Sequence, residues 1–182
     1  MRVLSSLILL LTLSFSVHAQ LTFKIDSKKH KVFSSKKLRS GTLRIGNEEV
    51  SSVHKNIFNT WRQYERTYVG YPLFELLDAV YGKEKWRKAK QIVFVANDGY
   101  RQVASIEELI DESDDHWGYL AYKEVEKKGF TKVFRKGKWV DPAPYYLVWS
   151  GFKPGEQAKH NDIFKWPYQL KTINIMTIKN EK

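Results

Sequence analysis

The chain has 182 residues, 42% hydrophobic and 14% aromatic, with a formal charge of +11 and no cysteine. That apolar content excludes wholesale disorder, and the length fits one domain. Without cysteine the chain cannot form disulfides, thiolate metal sites, iron–sulfur clusters, covalent c-type haem or a cysteine nucleophile.

Residues 1–19 read as a signal peptide. Arg2 gives a weakly positive start, Leu7 to Val17 is apolar, and Val17-His18-Ala19 is a small-residue cleavage site. The apolar run falls short of the ~20 residues that span a bilayer. No paired arginines precede it, so it reads as a general secretory signal. One mature domain over residues 20–182 is expected, periplasmic or secreted, and burial must supply its stability. Losing Arg2 lowers the formal charge by one. The remaining cations cluster at Lys28 to Arg39, Lys83 to Lys90 and Lys127 to Lys138. Such a surface attracts anionic lipid, acidic proteins or phosphorylated ligands, and each cluster equally fits a solvated face. Export argues against nucleic acid.

Leu21, Phe23 and Ile25 alternate as on a strand, and a second strand is expected at Gly41 to Ile45. Between Ser51 and Thr67, Ile57, Phe58 and Trp61 fall at helical spacing among polar residues, which predicts a loop with a helical turn. Pro72 to Tyr81 predicts a helix: Pro72 suits its first position, Gly82 lies just past its end, and Leu73, Leu76, Leu77 and Val80 form an apolar stripe. Trp86 is expected beneath the basic stretch that follows. Ile92 to Ala96 reads as a buried strand running into a tight turn, Asn97-Asp98-Gly99. The turn sets Tyr100 and Arg101 at a strand end, where scaffolds present working groups. A plain hairpin without function fits the same pattern.

Gln102 to Ala104 returns as a strand. Ser105 with Glu108 matches a capping box for a short helix over Ile106 to Ile110. Asp111, Glu112, Asp114, Asp115 and His116 form an acidic patch whose spacing matches no metal-ligand motif, and a solvated loop fits it as well. Trp117 to Tyr122 predicts a strand, Lys123 to Pro144 a polar segment with a ribbon turning at Lys136-Gly137. Tyr145 to Trp149 predicts a strand after the stiff Asp141-Pro142-Ala143-Pro144 lead-in, Gly151 to Lys165 a loop, and Gln169 to Ile178 a closing strand.

Several of these pieces occur together in a known order. They are Gly70-Tyr71-Pro72-Leu73 with Leu76-Leu77, Val93-Phe94-Val95-Ala96 with Asp98-Gly99-Tyr100, Leu120-Ala121, Pro144 with Tyr145-Tyr146-Leu147-Val148-Trp149, and Trp166-Pro167 before Leu170-Lys171-Thr172-Ile173. In that order, over roughly Gly41 to Ile178, the chain resembles the oxidoreductase molybdopterin-binding domain, the sulfite-oxidase-type fold. The resemblance implies an α+β fold, a β-rich mixed-sheet core with a few short helices. It also implies molybdopterin as the family's cofactor. Active members of the family hold molybdenum through a cysteine thiolate, which this chain lacks. A general secretory signal passes an unfolded chain, which cannot carry a preformed cofactor. The resemblance therefore implies a fold relative with a remodelled site and no molybdenum.

The mature histidines, His30, His54, His116 and His160, show no paired ligand spacing. No nucleophile-elbow pattern surrounds a serine. The aromatics offer more. If the resemblance holds, Tyr100, Tyr145, Tyr146, Trp149, Trp166 and Tyr168 could line one cleft with Asp98, Arg101 and His160. Aromatic walls with an arginine suit a planar or anionic ligand, or a docking surface for an exported redox protein such as a cytochrome. As core residues they would serve structure alone. The expectation is a binding or accessory module near a redox system. Two alternatives stand beside it: an oxidoreductase using another cofactor or metal, and a basic envelope protein that binds anionic polymer or lipid.

Overall fold

Alternating apolar and polar residues run through most of the chain and build strands. The structure, a computed structural model, describes residues 19–111, 116–156 and 164–178. Residues 1–18, which hold all but the last residue of the expected signal peptide, lie outside them, as do Glu112, Asp114, Asp115 and His160. In chain order the strands are β1 (Gln20–Ile25), β2 (Lys28–Ser34), β3 (Thr42–Ile45), β4 (Glu48–Ser51), β5 (Val53–Asn59), β6 (Tyr64–Pro72) and β7 (Gln91–Ala96). They continue with β8 (Arg101–Ser105), β9 (Trp117–Glu124), β10 (Val133–Arg135), β11 (Lys138–Val140), β12 (Tyr146–Ser150) and β13 (Leu170–Met176). Among the described residues four short helices intervene: α1 (Ser35–Leu38), α2 (Leu73–Tyr81), α3 (Lys83–Arg87) and α4 (Ile106–Asp111). The fold is α+β and β-rich.

One sheet has the order β2-β1-β13-β7-β8. It is mixed, because β1 and β13 run parallel while its other pairs are antiparallel. The second sheet, β12-β9-β6-β5, is antiparallel throughout. It curls until its two outer strands approach each other, so that Asn59 Nδ2 on β5 donates to Tyr146 Oη on β12 at 3.4 Å. Two ribbons, β3-β4 and β10-β11, stand apart from both sheets.

Helix α2 wedges the sheets together. Its stripe, Leu73, Leu76, Leu77 and Val80, is buried, and each leucine contributes about 1.5–3 kcal/mol by leaving water. Tyr81 at its end donates to the Ile173 carbonyl of β13 at 2.8 Å and packs edge-on against Phe23 of β1, centroids 5.8 Å apart. Gly82 ends the helix with φ +84, a conformation that any side chain would strain. Trp86 is fully buried, its indole N–H bonded to Asp78 Oδ1 at 2.5 Å. Pro72 closes β6 and caps α2, one residue before the position expected for it.

The stretch from Ser51 to Thr67 corrects the sequence reading. It is no helical loop: β5 and the start of β6, Tyr64 to Thr67, are arms of an antiparallel hairpin there. β5 is the outer strand of its sheet, and His54, Lys55 and Asn56 remain in water. Only Ile57 and Asn59 are buried, too few for an alternation to be visible. β6, one strand further in, packs so tightly on β9 that a Cβ at Gly70 would lie 2.5 Å from the Leu120 carbonyl oxygen.

Candidate functional site

The ends of several elements converge at one edge of the two sheets. The β7–β8 turn is built as its sequence dictates: Gly99 takes φ +87, and Asp98 Oδ1 accepts from the Tyr100 amide at 3.0 Å. The Asn97 amide donates to the Gln169 carbonyl at 2.9 Å, which ties this turn to the segment entering β13. That segment is pinned to β12, because the Leu147 amide donates to the Pro167 carbonyl and the Leu170 amide to the Tyr145 carbonyl, at 3.0 and 3.1 Å. The β5–β6 turn is set by buried Asn59, whose Oδ1 accepts from the amides of Trp61 and Arg62. Arg62 in turn donates to the Phe134 carbonyl of β10 at 3.3 Å.

These ends enclose a cleft of about 540 Å³. Trp61, Tyr100, Tyr146, Trp166 and Tyr168 supply aromatic surface, and Arg62, Arg135 and Lys165 supply positive charge. Among the described residues Asp98 is the one carboxylate in its lining. Tyr146 sits at the floor, edge-on to Tyr68, Phe130, Trp166 and Tyr168. Burial pushes its hydroxyl well above the usual phenol range, so it stays neutral. Burial also raises Tyr100; Arg135 opposes that and Asp98 adds to it. Arg135 Nη1 donates to Tyr168 Oη at 3.0 Å, and its guanidinium lies 5.6 Å from the centre of that ring. The Trp166 indole N–H is buried and finds no acceptor among the described residues. The whole favours an anion that carries a flat face: cations hold the charge and the rings hold the plane.

Of the residues expected from the sequence, Asp98, Tyr100, Tyr146, Trp166 and Tyr168 line this cleft together. Arg101 does not. It is exposed on β8, outside the lining, and Arg135 takes the cationic place assigned to it. Tyr145 and Trp149 are fully buried. A strand turns successive side chains to opposite faces, so these two, four residues apart, share the side away from Tyr146. The Trp149 indole is spent on the Lys165 carbonyl at 3.0 Å. The described histidines stand apart: His30 bonds the Val80 carbonyl, His54 is exposed on β5, and His116 packs on Phe152 and Phe164. Among the described residues no three His, Asp or Glu side chains come together as a metal site.

Trp61, Arg62, Arg135 and Lys165 were not legible as cleft residues. The first two lie in the turn misread as helical. Arg135 precedes the left-handed pair Lys136 and Gly137, φ +49 and +77, and a ribbon turn alone does not say which face meets the rest of the protein. Compared with known families the sequence matches no family model, and no curated protein matches it.

Proposed function

We propose that this protein is an exported, divergent relative of the molybdopterin-binding domain that uses its cleft to bind a planar anion. The observation that carries the proposal is the meeting of Tyr100, Tyr146, Trp166 and Tyr168 with Arg62, Arg135 and Lys165 around one cavity. Support for the kinship comes from the quoted segments. Asp98 and Tyr100 of the corner, Tyr146 and Trp166-Pro167 are far apart in sequence and line the same cleft. The residues do not fit the family's molybdenum centre, because the chain has no cysteine thiolate to ligate the metal. What fits is the organic, flat and negatively charged kind of ligand.

The wider role we propose is that of an accessory module beside a redox system. Trp61 and Tyr100 at the cleft edge, 42% and 39% exposed, offer a docking rim for an exported redox protein such as a cytochrome. Titration with pterin-6-carboxylate against uncharged pterin, followed by quenching of tryptophan emission, tests the ligand class. The charged probe should bind at least ~10-fold more tightly. Equal affinities, or none, would end the proposal. Protein taken from its native compartment should show no stoichiometric metal; a metal-bound chromophore would replace the binding module by an oxidoreductase.

A further inference from the structure

The β10-β11 ribbon carries a second surface, independent of the cleft. Its root is fixed: Val133 is buried, and the Phe134 carbonyl accepts from Arg62. Its outer part is bare. Phe134 and Trp139 are cross-strand partners, edge-on with centroids 5.4 Å apart, yet they are 54% and 68% exposed. Directly opposed aromatics on a strand pair hold each other in place, so the rings form one small rigid wedge. The turn beside them is Lys136-Gly137. From Lys127 to Val140 the chain holds Lys127, Lys128, Lys132, Arg135, Lys136 and Lys138 and no acidic residue.

We propose that this ribbon tip docks on an anionic lipid bilayer, with Phe134 and Trp139 entering the headgroup boundary while Lys132 and Lys136 beside them meet the headgroups; Lys138, the cross-strand partner of Arg135, lies on the other face. Aromatic rings of this kind settle at the level of the headgroups. Each basic side chain near an anionic surface adds about fivefold in affinity. An acidic protein would meet the same cations. Two rings, 54% and 68% exposed, offer at most roughly 300 Å² on this side, short of the ~800 Å² per partner that a specific protein interface buries. A bilayer asks only for a shallow wedge beside positive charge. Arg135, which lines the cleft, is not needed for this contact.

The test is sedimentation of the mature protein with vesicles of phosphatidylcholine alone or mixed with phosphatidylglycerol. Binding is expected to the mixed vesicles only, and it should fall steeply with salt. K132Q with K136Q should weaken it about thirtyfold. F134S with W139S should weaken it at least tenfold and remove the blue shift of tryptophan emission on binding. W117S, which removes another exposed tryptophan (56%), should bind like the parent. The lysine pair carries the test should the aromatic pair not fold. The proposal is overturned if the protein ignores anionic vesicles or if both double variants bind them as the parent does. It is equally overturned if the substitutions abolish a concentration-dependent dimer and leave vesicle binding untouched.

Discussion

Replacing Arg135 by alanine separates ligand binding from stability. Among the described residues the guanidinium makes one hydrogen bond, to Tyr168 Oη at 3.0 Å, and one ring contact, at 5.6 Å. Arg135 is exposed, so these contacts are worth about 1 kcal/mol together. For a domain of this size that is a fall of roughly 2–4 °C in Tm. Toward a bound carboxylate the same group would give a charge-assisted bond, worth about 1.5–3 kcal/mol. Its loss should weaken pterin-6-carboxylate about 10- to 150-fold and leave uncharged pterin nearly unaffected. Calorimetric titration of both probes, with a melting curve of each protein, reads all three changes. An equal loss for both probes would mean that Arg135 shapes the cleft and does not hold the charge. A collapse in Tm with unchanged affinity would mean that the residue is structural. Arg101→Ala, outside the lining, should leave both affinities as they are.

Asp98→Asn removes the negative charge from the described cleft lining while keeping an acceptor for the Tyr100 amide, so the charged probe should bind about 2- to 5-fold more tightly by the same titration. Gly70→Ala would place a methyl group 2.5–2.8 Å from backbone atoms of Leu120 and Ala121, which cannot step aside. A loss of at least ~3 kcal/mol in denaturant unfolding is expected, and a loss below 1 would show that β6 can shift. Glu124 is buried, which works against its charge, but the Thr131 hydroxyl and amide and Arg66 outweigh this and hold its carboxyl below the usual range. A carboxyl lowered on folding stabilises above its unfolded value, about 4.3, and that share is lost as the pH falls through the folded value. Glu124→Gln should therefore cost about 2 kcal/mol at neutral pH, discounted because Arg66 keeps about a quarter of its side chain in water, 26%. The cost should shrink on acidification, and a constant difference across the acid range would refute the assignment.

The sequence by itself determined the elements whose signals are local. The α2 stripe, the Gly82 stop, the Asn97-Asp98-Gly99 turn, the Ser105 cap and the Lys136-Gly137 turn all depend on neighbours within a few residues, and each lies where its residues predict. It also determined that no thiolate ligand is on offer. Burial from both sides, as in β12, leaves a continuous apolar run that is legible as a strand but does not say which side chains share a face. Only the tertiary structure decided that Tyr146 meets Asn59, that Tyr145 and Trp149 turn to the core, and that Arg135, not Arg101, stands in the cleft. It alone showed β5, whose polar outer face hides its alternation. Contacts between segments some thirty to ninety residues apart, such as Arg135 with Tyr168 and Asn59 with Tyr146, are fixed by how a ribbon, a loop and the outer strands of a curled sheet come together. No spacing along the chain encodes that packing, because it arises only when distant apolar faces leave water together.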